Sequence, residues 1–295
     1  MSALLREIAR EITYPSTVPV VATLSQRYYC IYPDLNLLLV PLGERSFLLH
    51  LPDLYHELGH PLLEDENDPV VAPFRDACER IAGAAEARFR TLAVREARGH
   101  GPRPLAARLE NVAASWLLFW PKEFFCDLFA AAVLGPAYDW AHLHLFAKRG
   151  SEPFFIPSTG YTSHPADAAR MDMIIRMLRR QGYLTKSDAI RTAWNMLLAT
   201  LGHHPSPDHR ICHPDDLLDS CVDEARSALA DMRCRLAQPG TTGRVHDLLN
   251  EAWSRLQADP DGFAAWEKKA AATLLPTSLA PRARPSECPA VFGPH

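Results

Sequence analysis

The spacing of apolar residues changes character along the chain. Residues 1–12 mix charged and hydrophobic positions at helical period and predict a short amphipathic helix. From Val18 to Leu51 the apolar runs become short and include β-branched and aromatic residues: Val18–Leu24, Tyr28–Tyr32, Leu35–Val40 and Ser46–Leu51. Pro33-Asp34 and Gly43-Glu44 punctuate these runs, which predicts a small sheet of three or four strands. Nearly everything afterwards carries helical period. Pro52 and Asp53 suit a first helical turn. Pro61, which has no N–H to donate, should end or kink that helix within a turn. Further helices are predicted over 73–98, 105–119, 121–134, 165–181, 187–201, 215–236, 244–258 and 262–275, with a Gly/Pro break at 99–104. The fold class is therefore α+β and mainly α, with a small N-terminal sheet. A main domain over 1–201 and a helical C-terminal segment over 202–275 are expected, divided near the Pro-rich stretch 202–214. Five prolines in the last twenty residues predict a disordered tail over 276–295.

Composition narrows the partners. With 295 residues the chain has room for one large domain or two small ones, and 47% hydrophobic with 22% charged residues is the ordinary globular range. A net charge of -4, with basic residues scattered as in Arg179-Arg180 and Lys268-Lys269, argues against nucleic acid and against an anionic membrane surface. No apolar run reaches membrane length, and the first residues lack the apolar core of a secretory signal. Seven cysteines, odd in number and without a CxxC pair, read as reduced thiols of a cytoplasmic protein.

The chemistry is concentrated in His56-Glu57-Leu58-Gly59-His60. Histidines four apart on a helix share a face and reach one ion, and the glutamate between them is placed to hold a water on it. This is the HExxH pattern of zinc hydrolases. Catalytic zinc takes three protein ligands and leaves a position open, so a third donor is needed. Glu123 is the best candidate, in Trp120-Pro-Lys-Glu-Phe-Phe-Cys-Asp127. Glu123 and Asp127 fall on one face of an otherwise apolar segment, where an unpaired carboxylate costs several kcal/mol. A metal ligand at Glu123, and at Asp127 an acceptor for a ligating imidazole, would offset that cost. A helix start after Pro121 also accommodates Glu123, but explains Asp127 poorly. The cluster His203, His204, His209, Cys212 and His213 matches no zinc knuckle and reads as a polar loop. His142 and His144 read as surface or packing residues. Cys126 and the aromatics Trp116, Phe119, Trp120 and Phe124 read as core.

Together, HExGH at 56–60, E-x-x-x-D followed by small residues at 123–131, and Ser163-His-Pro-Ala-Asp-Ala-Ala-Arg170 resemble the gluzincin peptidases. The chain looks most like the family of the CAAX prenyl protease and the heat-shock protease HtpX, over about residues 45–180. The resemblance implies a zincin-like metallopeptidase domain holding one zinc ion on His56, His60 and Glu123. It implies Glu57 as general base, Asp127 as partner of a ligating histidine, His164 as the group steadying the tetrahedral intermediate, and Arg170 as support for the pocket. Three features depart from the family: no membrane helices, Pro61 in the metal-binding helix, and Phe125 where a second glutamate often stands. His204-Pro-Ser-Pro-Asp-His-Arg210 repeats the H-P-x-x-x-x-R pattern, and Tyr138 and Tyr161 are further candidate oxyanion donors. The expected function is a soluble zinc endopeptidase acting on an intracellular protein, with Ser46–His50 as an edge strand for the substrate. The alternatives are a zinc hydrolase of a non-peptide amide, and a metal-binding pseudoenzyme that docks a protein partner through its C-terminal helices.

Overall fold

The computed structural model describes residues 1–25, 29–41, 47–98 and 103–274. The segment expected as a disordered tail, 276–295, lies outside the described residues. Helix α1 (Ser2–Glu11) buries Leu4, Leu5, Ile8 and Ala9 on one face, as its apolar spacing requires. Three strands follow: β1 (Val20–Ser25), β2 (Cys30–Tyr32) and β3 (Leu37–Pro41). Their order is β1-β3-β2, with β1 parallel to β3 and β2 antiparallel to it, Ile31 opposite Leu38. A 3₁₀ turn over Pro33–Leu35 reverses the chain between β2 and β3. It closes at Asn36, whose φ of 45° lies in the left-handed region that asparagine tolerates. β2 is therefore an edge strand.

The expected fourth strand does not form over the described part of its range. Phe47–Leu51 is a turn, in which His50 N–H bonds to the Phe47 carbonyl. The Leu48 amide bonds to Glu267 Oε1 at 2.7 Å instead of to a neighbouring strand. Leu48 and Leu51 are buried, so the run is apolar because it anchors the chain ahead of a helix. The edge strand nearest the candidate site is β2.

Helices make up most of what remains: α2 (Asp53–Glu64), α3 (Ala72–Arg98), α4 (Arg103–Leu118), α5 (Trp120–Leu134), α6 (Pro136–Arg149), α7 (Asp167–Arg180), α8 (Leu184–Leu201), α9 (Pro207–Cys212), α10 (Asp215–Asp231), α11 (Arg244–Ala258) and α12 (Pro260–Leu274). The chain is thus α+β and mainly α, as the periodicity predicts. Pro61 lies inside α2, which stops at Glu64, within one turn of it.

Three helical segments differ from expectation. α6 follows α5 across Gly135, whose φ of 75° ends one helix just before Pro136 opens the next. α9 replaces the polar loop: His209, Cys212 and His213 are buried, and His213 stacks on Trp120 at 5.1 Å. α10 stops at Asp231 rather than at 236. Arg233 is left-handed (φ 59°), and beyond it the Arg235 amide bonds to Ile12 and the Ala237 amide to Ala132.

One apolar core runs from Leu4 to Leu274. Its centre is α5, every residue of which from Phe124 to Leu134 is buried. α2 lies against α5 at Gly59, where an added Cβ would meet Cys126 Cα at 2.8 Å. Only glycine permits that approach, and it sets the distance between the helix carrying His56 and the helix carrying Glu123. Among the described residues no helix is long and apolar enough to cross a membrane.

Candidate metal centre and cleft

α2 and α5 bring the predicted residues together. His56 and His60, one turn apart, have ring centroids 5.2 Å from each other. His56 Nδ1 lies 2.8 Å from Asp127 Oδ1, and its Nε2 lies 3.5 Å from Glu123 Oε2. The two nitrogens of one ring are thereby given different tasks. Nδ1–H donates to Asp127, which fixes the ring orientation, and Nε2 is turned toward Glu123.

Asp127 is fully buried and extensively bonded. Arg170 donates to both of its oxygens, Nε to Oδ2 at 2.7 Å and Nη2 to Oδ1 at 2.7 Å. The Tyr138 hydroxyl donates to Oδ1 at 2.5 Å and lies 3.3 Å from His56 Nδ1. Burial alone would raise the Asp127 pKa, but Arg170 and His56 hold it well below the usual carboxylate range. Tyr138, a candidate oxyanion donor from sequence, is buried and lines the cleft, and its hydroxyl is bonded to Asp127 beside the ring of His56. Sequence reasoning missed that contact because it did not predict α6, which carries Tyr138. Tyr161, the other candidate tyrosine, is exposed and stacks on Phe119 at 5.3 Å.

Glu57 lines the cleft beside His56. Burial raises its carboxyl pKa and the charge of Glu123 adds to this, against opposing pulls from His56, the Ile31 amide of β2 and Arg170. Burial likewise works against the ionised form of Glu123, yet the hydrogen bond and charge of His56 bring its pKa down to about 2. Burial disfavours a charged His56 too, but bonds to Asp127 and Glu123 carry its pKa up to about 10. His60 has no carboxylate bonded to it, and burial lowers its pKa to about 4.

His164 reaches the same centre from the loop before α7, its Nε2 3.6 Å from Glu123 Oε2. It does not open a helix, as its Pro165 suggested: α7 begins at Asp167. Its position is set from below. Trp120 Nε1 donates to Thr162 Oγ1 at 3.1 Å, that hydroxyl donates to the His164 carbonyl at 3.2 Å, and the Thr162 amide bonds to Ser115 Oγ at 3.1 Å. Neither Ser115 nor Thr162 carried a sequence signal. The second H-P-x-x-x-x-R pattern stays apart: His204 is exposed and lines neither cleft at this centre.

Three carboxylates, Glu57, Glu123 and Asp127, meet Arg170 and His56, and His60 has no hydrogen-bond partner among the described residues. His56, His60 and Cys126 offer donor atoms all within 4.8 Å of one another, a group that could hold a metal ion and that does not include Glu123. Cys126 is fully buried between α2 and α5 and lines neither cleft, and burial, followed by the charge of Glu123, raises its thiol pKa well above normal. Glu123 lines both.

The larger cleft, about 480 Å³, extends from this centre along α6. His142 and His144, expected as surface or packing residues, both line it, and His142 is also buried. Comparison of the chain with family models, with curated proteins and with solved structures finds no match.

Proposed function

We propose that the chain is a zinc-dependent endopeptidase with a zincin-like domain, cutting an intracellular protein substrate bound along the cleft. The observation that carries this reading is the divided use of His56. Its Nδ1 is tied to an aspartate that Arg170 and Tyr138 hold in place, while its Nε2 faces Glu123, with His60 one turn away and Glu57 beside it. The motif resemblance to the gluzincin peptidases supports the same reading.

His56, His60 and Glu123 would hold the ion. Bound zinc would bring the pKa of a water toward neutrality and polarise the scissile carbonyl. Glu57 accepts a proton from the attacking water and returns it to the leaving amine, a task that its raised pKa suits. His164, on the exposed side of the centre, donates to the carbonyl oxygen as negative charge develops there. Asp127 keeps Nδ1 of His56 protonated and so keeps Nε2 available as a donor. The outer edge of β2, rather than 46–50, is the strand to which an extended substrate adds.

A second reading follows from Cys126: a metal on His56, His60 and Cys126 would be structural. Metal analysis separates the two. The peptidase reading expects one zinc per chain, lost in His56→Ala and Glu123→Ala and kept in Cys126→Ser. Zinc kept in Glu123→Ala and lost in Cys126→Ser would exclude it.

A further inference from the structure

The wall of the large cleft away from the metal ligands is one face of α6. Tyr138, Ala141, His142, Leu145, Lys148 and Arg149 all line it, at the three- and four-residue spacing of a single helical stripe. At its near end Tyr138 bonds to Asp127; at its far end stand two cations. His50 and His144 face the same space, 5.5 Å apart by ring centroids. The acidic groups of the lining are Asp53 and, at the metal end, Glu57 and Glu123. His142 is 3% exposed, and its Nε2 has no hydrogen-bond partner among the described residues. Basic residues are favoured in the last turn of any helix. This pair, however, shares its stripe with a cleft-lining histidine that has an unpartnered buried nitrogen. After burial, and against the opposing charges of Asp127 and Asp167, the charges of Arg170 and Arg149 help to lower the pKa of His142.

We infer that this wall selects an acidic residue in an extended peptide substrate, with Lys148 and Arg149 as its specificity-determining partners. The inference rests on the peptidase reading above and names its substrate class. Helical rise puts Lys148 about 15 Å along the axis from Tyr138. An extended peptide advances about 3.3 Å per residue. Allowing for long basic side chains, the acidic residue falls roughly three to five positions from the bond that is cut.

The test uses the zinc-loaded full chain carrying Glu57→Gln, so that peptides survive, and reads binding by fluorescence anisotropy. The probes are labelled peptides of neutral sequence and the same peptides with one aspartate moved along them. Tighter binding by about tenfold, equal to about 1.4 kcal/mol, is expected for one narrow range of positions. The advantage should shrink as salt is raised. It should reverse toward a lysine-bearing peptide in Lys148→Glu/Arg149→Glu, and vanish in Lys148→Gln/Arg149→Gln if the reversed pair fails to fold. Equal binding of neutral and acidic peptides, a preference that survives either double variant, or no binding at all would overturn the inference. Failure of the peptidase reading looks different: acidic peptides bind with the expected preference, but the chain with Glu57 intact does not cut them.

Discussion

Asp127 accepts four hydrogen bonds from three residues and has no exposed surface. Removing it leaves Arg170 charged, buried and unpaired, the situation in which loss of one partner is most damaging. Asp127→Ala is expected to lower unfolding free energy by about 3–5 kcal/mol in urea titration. Asp127→Asn, which keeps the shape but exchanges an acceptor for a donor, is expected to lower zinc affinity by about 10- to 100-fold through misorientation of His56. An unchanged affinity in Asp127→Asn would mean that the ring is held by packing alone. At this scale the sequence was informative where chemistry repeats at helical spacing: His56 with His60, and Glu123 with Asp127. It named Tyr138 only as a candidate oxyanion donor, not as a partner of Asp127, and was silent on Thr162 and Ser115, whose contacts arise only where separate elements meet.

Helix packing makes Gly59 as consequential as the histidines that flank it. Alanine there would gain about 1 kcal/mol in helix propensity. The obstacle is the Cα of Cys126, which cannot swing aside as a side-chain tip could. A net loss of stability, from an overpacking cost of about 1–3 kcal/mol or more, is therefore expected for Gly59→Ala, together with weaker zinc binding as α2 and α5 separate. Greater stability with full zinc occupancy would show that the helices can give way. α9 supplies a pH signature. Burial keeps His209 neutral, with a folded-state pKa of about 4 against an ordinary value of 6.5. The unfolded chain therefore binds the proton first. Stability is complete above about pH 6.5 and falls as pH drops toward 4, by up to about 3 kcal/mol. Urea midpoints near pH 7 and near pH 5 should differ more in the wild type than in His209→Gln. Equal differences would remove His209 from the acid sensitivity. These elements also show what sequence could not convey. The apolar run at 47–51 reads equally as a strand or as a buried anchor until the Glu267 contact is known. The histidine stretch reads as polar because burial is a tertiary property. The Gly135-Pro136 and Lys148-Arg149-Gly150 signals that bound α6 were present in the chain, and they punctuate it without stating that a helix lies between.

Across the whole molecule, the sheet, α2, α5, α6 and the loop before α7 converge on one cleft, so metal binding should be felt globally. Zinc at about a hundred times its dissociation constant should stabilise the fold by about 2.7 kcal/mol, and raise the melting temperature by about 4–5 °C. The gain should be absent in Glu123→Ala. The mainly helical α+β class was readable from periodicity, because long amphipathic stretches report their own burial. The cleft wall was not, because it is assembled from a helix on which Lys148 and Arg149 share a face with Tyr138 only once the chain is folded. The most direct test of zinc-dependent peptide hydrolysis at Glu57 is a comparison of protein N-termini in cell extract treated with zinc-loaded wild type and with zinc-loaded Glu57→Gln. New N-termini confined to the wild-type sample are the predicted result. Identical sets of N-termini, with zinc fully bound in both proteins, would contradict it.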